Sequence, residues 1–521
     1  MTVRSLPRLL TLVAALSTLS CSLSMAGHAA YVPGTEAGLP GAPLPEGWTG
    51  SRQTSQTSFE AQPLFGVGPF EPPSASDCRG PQRLREVPGA ASRQDAVLYG
   101  AGRRSPTAPT VAALTRSAAP AERDPVGEVR AEALADSRER RVAPANSAKP
   151  PPAMMAADQA QPTRVEEPPN REVVTAGMVD DNADFNEYLA FRQRHRHLDT
   201  RDRDVSERYR VEVRDSSGRP AADAEVALSW PGAARALRFA RTDAAGQVWL
   251  HPKALVAPWQ LGRLQQLEVQ VRSGDDVVRT TLQRGQKSAV QVSLTGSMAR
   301  PERTPLDLVF LVDATGSMGD EIAKLRGSLQ TIANRVQGLP SRPDLCWGLV
   351  AYRDKGDAFI TRSHDLTDDL GAFQGHLARL QAGGGGDYPE ALNEALHETV
   401  HNIHWRGDGT ARMVILVGDA PPHLDYGVPY YDQDSAAALA RGIKVHSVGA
   451  SGLDPKGEAV FRQIAQTTGG RFVFLTYDKA RNPASGPGRE TVHDVRNYSV
   501  NTLDDLIVRL VRDELAPAGG R

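Results

Sequence analysis

From residue 305 onward, predominantly apolar runs alternate with amphipathic ones. Strand-like runs cover 306–313, 345–352, 412–418, 444–449 and 471–475. Between them apolar residues recur three and four apart. Ile322, Leu325, Leu329, Ile332 and Val336 form one such series, Leu370, Phe373, Leu377 and Leu380 another, and Leu503, Leu506, Ile507 and Leu510 the last. Strands buried on both faces read as continuous apolar runs, while a spacing of three and four marks a helix with one apolar side. The alternation predicts a Rossmann-like, doubly wound α/β fold over 305–515, its parallel sheet covered by helices on both faces. In such sheets ligands bind beyond the carboxyl ends of the strands.

Upstream the period changes to two. Tyr209-Arg-Val211-Glu-Val213, Ala224-Glu-Val226-Ala-Leu228, Val248-Trp-Leu250, Leu267-Glu-Val269-Gln-Val271 and Val290-Gln-Val292-Ser-Leu294 alternate, with Gly, Pro and Asp turns between them. This predicts an all-β sandwich over 205–295. A short helical segment is expected over 171–200. Phe185, Tyr188, Leu189 and Arg192 share one helical face there, and Asp180, Asp181 or Asn182 is placed to cap its start. That face either packs on the following domain or docks a partner protein. Residues 31–170 are rich in Pro, Ala, Gly, Ser and Arg with few aromatics, which predicts a long disordered N-terminal spacer. Residues 1–30 read as a signal peptide: Arg4 and Arg8, an apolar core over 9–19, then the small residues Ala26, Ala29 and Ala30. The chain is therefore multidomain, and no later segment is apolar enough for a transmembrane helix after signal removal.

A net charge of −2 over 521 residues gives no reason to expect nucleic acid as a partner. The leader predicts export, to the periplasm, the cell envelope or the medium. Three cysteines, Cys21, Cys78 and Cys346, suggest no disulfide framework, and Cys346 reads as a small apolar core residue. The context Thr18-Leu-Ser-Cys21 loosely resembles a bacterial lipoprotein cleavage box without its usual Leu, so a lipid anchor at Cys21 stays open as an alternative.

Three loops at the carboxyl edge of the predicted sheet carry oxygen donors. Asp313-Ala-Thr315-Gly-Ser317 follows the first strand, Gly383-Gly-Gly-Gly-Asp387-Tyr-Pro389-Glu390 precedes a helix, and Val417-Gly-Asp419-Ala-Pro-Pro422 ends a buried strand. Carboxylates and hydroxyls without nitrogen or sulfur suit a hard divalent cation such as Mg2+. In this order the phrases resemble the von Willebrand factor type A (VWA) domain and its metal-ion-dependent adhesion site, over about 210 residues. Tyr352-Arg-Asp354-Lys-Gly-Asp357 fits an extracellular branch of that family. The resemblance implies that Ser317 and Thr315 offer hydroxyls to the metal, and that Asp313 and Asp419 reach it directly or through water. Adhesion-type sites take a Thr from the second loop. Here Asp387 is the candidate, and the added carboxylate makes the site more anionic and suits Ca2+ or Mn2+ as well as Mg2+. The alternating segment before it, with its Asp-x-x-Gly turns, resembles carboxypeptidase regulatory-like and other Ig-like domains of bacterial surface proteins.

The resemblance implies a non-enzymatic binding protein that holds a protein or cell-surface ligand through an acidic side chain on the metal. One alternative is an envelope complex assembly or regulatory subunit, for which 175–191 would be the docking peptide. Another is a haloacid-dehalogenase-like phosphatase, whose phosphorylation motif Asp313-Ala-Thr315-Gly-Ser317 only superficially resembles, because Ala314 replaces its Lys. Asp320 and Glu321 complement a helix N-terminus. Asp354 and Asp357 are expected in a solvated turn. His397, His401 and His404 have helical spacing but no Glu placed as in a zinc-protease helix, and are expected as surface or internally satisfied histidines.

Overall fold

In the computed structural model the described residues are 77–79, 82–89 and 173–516, apart from 234, 263, 299–301 and 408. The leader expected over 1–30, Cys21 and most of the spacer expected over 31–170 lie outside them. In chain order the elements are β1 (Leu84–Pro88), β2 (Thr175–Val179), α1 (Phe185–Arg194), β3 (Tyr209–Arg214), β4 (Glu225–Ser229), β5 (Arg238–Arg241), β6 (Gln247–Leu250), α2 (Pro258–Leu261), β7 (Gln266–Ser273), β8 (Asp276–Gln283) and β9 (Ala289–Ser293). There follow β10 (Pro305–Asp313), α3 (Gly319–Gln337), β11 (Asp344–Tyr352), β12 (Phe359–Thr367), α4 (Leu370–Arg379), α5 (Leu392–Asn402), β13 (Ala411–Gly418), α6 (Tyr431–Ala440), β14 (Ile443–Gly449), α7 (Pro455–Thr468), β15 (Phe472–Lys479), β16 (Asn482–Pro487), β17 (Val500–Thr502) and α8 (Leu503–Leu515).

The large sheet runs β1-β12-β11-β10-β13-β14-β15-β2-β17, with β16 paired to β15. Its five central strands, β11, β10, β13, β14 and β15, are parallel. Along β10, Leu306, Leu308, Phe310 and Val312 join one apolar cluster with Ile322, Leu325 and Leu329 of α3, Phe373 of α4 and Leu506 of α8. Val309 and Leu311 join a second cluster with Leu392 and Leu396 of α5 and Phe461 and Ile464 of α7. Alternate residues of one strand thus serve two cores, which is why the run from Leu308 to Val312 is apolar throughout.

The sheet is not wholly parallel as expected. β12 runs antiparallel to β11 and carries β1 at the sheet edge, while β2 enters antiparallel between β15 and β17. Two upstream expectations change accordingly. Part of the stretch expected to be spacer forms β1, and the disulfide Cys78–Cys346 pins it to β11, so Cys346 is not a free core thiol. Within 171–200 the chain makes strand β2 before helix α1. Asp184 caps α1 by accepting from the Glu187 N–H, while Asp181 instead receives both Arg462 Nε (2.9 Å) and Nη2 (2.6 Å) in a buried ion pair. Phe185, Tyr188 and Phe191 are buried between α7 and the smaller unit, with the Arg462 guanidinium 3.7 Å over the Phe191 ring. This face is occupied by the chain itself rather than free for a partner.

Residues 209–293 form a three-stranded sheet, β6-β3-β9, and a four-stranded sheet, β5-β4-β7-β8, around one apolar cluster that includes Val211, Val226, Leu228, Val269 and Val271. Asp223 of this unit accepts from Arg412 Nη1 (2.9 Å) and Nη2 (3.2 Å) at the start of β13. The smaller unit is thereby held to the amino edge of the large sheet, opposite the loops that carry the oxygen donors.

Candidate metal centre

The parallel pairing of β10 with β11 and β13 brings Asp313 and Asp419 to the same sheet edge. Backbone bonds fix the loops around them: Ala314 N–H donates to Tyr352 O (2.8 Å), Gly383 N–H to Ala314 O (3.0 Å) and Gly316 N–H to Gly384 O (3.1 Å). Arg353 Nε also donates to Ala314 O (3.1 Å), so its charge braces backbone. Asp313 is fully buried, and one oxygen, Oδ1, accepts from the Thr315 N–H (2.9 Å) and the Thr315 hydroxyl (2.7 Å). Its other oxygen, Oδ2, is buried and lacks a partner in hydrogen-bond geometry, although the buried Tyr352 hydroxyl stands near enough to favour its charged form. The Thr315 and Ser317 hydroxyls lie 3.3 Å apart, with Ser317 at the exposed rim.

Burial, then the neighbouring charge of Asp419, pushes the Asp313 carboxyl up to about 7. Asp419 is raised mainly by its own burial, with a Ser317 hydrogen bond drawing it back. A further buried carboxyl, Glu390, is pushed up to about 9 by desolvation and by Asp313, Asp354, Asp357 and Asp419, in that order. Its Oε2 also has no hydrogen-bond partner. Gly385, at φ +73°, lets the second loop pass between Thr315 and Glu390. A Cβ there would stand 2.8 Å from Glu390 Oε1 and 2.9 Å from Thr315 Cβ. The second and third loops are joined where Glu390 N–H donates to Pro421 O (3.1 Å) and His423 N–H to Glu390 O (3.2 Å).

Of the expected residues, Asp313, Thr315, Ser317 and Asp419 converge. Asp387 does not join them: its side chain is 63% exposed, and its nearest ionic neighbour is His423 Nε2 at 3.9 Å. The turn from Tyr388 through Pro389 places Glu390 inward and leaves Asp387 on the rim. The signal in the sequence was the acid two residues before α5 begins and three residues after Asp387. The turn holding Asp354 and Asp357 is not simply solvated. Asp357 Oδ2 accepts from the N–H groups of Asp354 (3.1 Å) and Gly385 (2.9 Å), while buried Asp354 accepts from the Tyr426 hydroxyl (2.7 Å). Asp354, Asp387 and His423 form an outer group whose ligand atoms lie within 4.8 Å of one another. Glu321 in the first turn of α3 accepts from the Ser451 hydroxyl.

Buried carboxylate oxygens without hydrogen-bond donors are costly unless a cation meets them. An all-oxygen set of Asp313, Thr315, Ser317, Asp419 and Glu390 fits a hard divalent ion and offers nothing to a soft one.

Among the described residues no helix is long and apolar enough to cross a membrane. Residues 307–410 match the family model described as von Willebrand factor A domain. An ariadne-like RING finger protein of Acanthamoeba polyphaga mimivirus is 33% identical over 118 residues, covering 23% of this chain and 11% of that protein. An alpha-protein kinase of Dictyostelium discoideum is 28% identical over 139 residues, 26% of this chain and 22% of the kinase. The von Willebrand factor A domain-containing protein 7 of Rattus norvegicus is 36% identical over 194 residues, 35% of this chain and 20% of that protein. The chain thus spans about a fifth or less of the length of these relatives. The matched segment, β10 with the loop that closes on Asp313 and the helices and strands up to β13, is a von Willebrand factor A domain, and the chain carries one.

Proposed function

We propose that this chain is a non-enzymatic, extracytoplasmic binding protein whose VWA domain takes its partner through a metal-ion-dependent adhesion site. One observation carries the reading: Asp313 Oδ2 and Glu390 Oε2, both buried and without hydrogen-bond partners, at a place where Thr315, Ser317 and Asp419 also converge. Asp313, Thr315, Ser317, Asp419 and Glu390 would hold the ion, with Mg2+ first and Mn2+ or Ca2+ as alternatives. When bound, the ion supplies a positive centre for an acidic side chain of the partner. The residues do the rest. Thr315 keeps Asp313 in one rotamer, Gly385 lets the second loop close over the site, and Arg353 braces the first loop from behind. In place of Asp387, the inner second-loop ligand is Glu390, and this third carboxylate lowers the net positive field offered to an acidic ligand.

The Cys78–Cys346 disulfide supports export, since such bonds persist in oxidising compartments. The two small sheets of 209–293 support the Ig-like spacer reading. With 175–191 packed into the chain's own core, that segment lends no support to the assembly-subunit reading.

Calorimetry of the full chain with MgCl2, MnCl2 and CaCl2 tests the site. We expect binding that Asp313→Ala and Glu390→Gln each remove. A capture from native envelope material with and without EDTA tests the function, with bound protein expected to elute with the metal. Unchanged metal binding in both variants would overturn the reading.

A further inference from the structure

We propose that His397, His401 and Asp434 form a second, separate metal site, selective for Zn2+, that joins helices α5 and α6. His397 and His401 stand four residues apart on α5 and therefore project from one face. α6 packs beside it and brings Asp434, in its first turn, between the two rings. His397 Nδ1 lies 3.1 Å and His401 Nε2 3.0 Å from the same oxygen, Asp434 Oδ1. The ligand atoms of all three residues fall within 4.8 Å of one another.

Bond lengths of about 2.0–2.1 Å to nitrogen and about 2.0–2.2 Å to oxygen in a tetrahedron place ligand atoms roughly 3.3 Å apart. The two His-to-Asp distances are close to such an edge. Two imidazoles and one carboxylate match the ligand types zinc takes, and differ from the all-oxygen set at the sheet edge, which suits Mg2+. The second observation is Asp434 itself. It is 4% exposed, and its Oδ2 is buried without a hydrogen-bond partner while both rings crowd Oδ1. A structural His–carboxylate pair needs one ring. Here two rings meet one oxygen while the other oxygen goes unused. The histidine side chains are 46% and 30% exposed, so an ion can enter from solvent and keep water on a fourth position.

Neighbouring acids do not compete for the place. Glu398 accepts from Arg85 Nε (2.8 Å), the Ser363 hydroxyl (2.6 Å) and Asn402 Nδ2 (2.6 Å), and Glu394 pairs with Lys355 (3.4 Å). The location gives the site a structural consequence. α5 leaves the loop that carries Glu390, and α6 follows the loop that begins at Asp419, so an ion between the helices holds those two loops in register.

The test uses the full chain freed of metal with EDTA and then dialysed. Zn2+ is titrated calorimetrically in millimolar MgCl2, and Co2+ is added in parallel so that its absorption reports coordination geometry. We expect a single Zn2+ per chain that excess Mg2+ does not displace, an intense tetrahedral-type Co2+ spectrum, and a rise in Tm on the order of 5 °C at a hundredfold excess over Kd. His401→Gln and Asp434→Asn should each weaken Zn2+ binding at least about tenfold, while Asp313→Ala leaves it unchanged. His397→Gln, at a more exposed position, guards against a folding defect: it should lose Zn2+ with its metal-free Tm unchanged. No Zn2+ binding, binding kept in all three variants, or loss only in Asp313→Ala would overturn the proposal and leave the cluster as an ordinary ion-paired group.

Discussion

Replacing Asp313 by Asn should stabilise the metal-free protein at high pH while destroying its response to Mg2+. The Asp313 carboxyl is carried from an ordinary 3.8 to about 7 by burial and by Asp419. At about 1.4 kcal/mol per tenfold, the fully ionised buried group costs the metal-free fold about 4 kcal/mol. Below pH 3.8 the group is protonated in both folded and unfolded chains and that stability is whole. Between 3.8 and about 7 the unfolded chain binds fewer protons than the folded one, so each step up in pH favours unfolding. Above about 7 the loss is complete. An Asn keeps an oxygen for the two Thr315 bonds, and its amide adds an unpaired buried donor that costs about 1–3 kcal/mol. At pH 8 in EDTA the variant should therefore be more stable than the parent by about 1–3 kcal/mol. Urea unfolding at pH 5, 6, 7 and 8, in EDTA and in saturating MgCl2, checks this. The parent in EDTA should lose about 2 kcal/mol from pH 5 to pH 7 through this group and regain stability with Mg2+. The variant should lose less and gain nothing from the metal. A variant that declines with pH as steeply as the parent, or that Mg2+ still stabilises, refutes the reasoning.

Three further outcomes follow from geometry. Gly385→Ala places a Cβ against Glu390 and Thr315 at a positive φ, and should cost about 1–3 kcal/mol in thermal or urea unfolding and weaken Mg2+ binding in calorimetry. Asp181→Ala leaves Arg462 buried with Glu458 as its remaining carboxylate, and should cost about 3–5 kcal/mol, much of it recovered when Arg462→Met is added. Reduction of Cys78–Cys346, which closes a span of 268 residues, should lower the unfolding free energy by about 2–5 kcal/mol and raise amide exchange along Phe359–Thr367, read by mass spectrometry.

The central strands were legible because burial on both faces keeps β10, β11, β13 and β14 mostly apolar, with a few buried polar residues such as Asp307 and Arg412. The edge strands were not, because an edge needs no apolar run. In β12, Thr361, Arg362, Ser363 and His364 intervene between apolar ends, and β1 reads Leu-Arg-Glu-Val-Pro. β2 was hidden by its distance in sequence: only the pairing of Val473 with Met178, across nearly three hundred residues, makes Thr175–Val179 a strand. Asp313, Thr315, Ser317 and Asp419 could be read as a group, since each sits at or just past a recognisable strand end. The choice between Asp387 and Glu390 depended on how a three-residue turn points its side chains, which spacing does not encode. The disulfide was missed for a related reason: Cys78 lies in a Pro-rich stretch and gives no local sign of its partner.

The order of strands also describes how the molecule would carry tension. The described chain starts beside β1 at one edge of the large sheet and ends with α8, which follows β17 at the other edge. Pulling on the two ends therefore loads the sheet across its width. At the β1 edge a covalent bond bypasses the two outermost pairings, since Cys346 lies in β11 and β11 neighbours β10. The load enters at the amino end of β10, where Cys346 is level with Asp307, without first stripping β1 from β12 and β12 from β11. A pull would then bear on the end of the central strands opposite the metal loops. The grip on a ligand and the anchorage against strain would fall on opposite ends of the same strands.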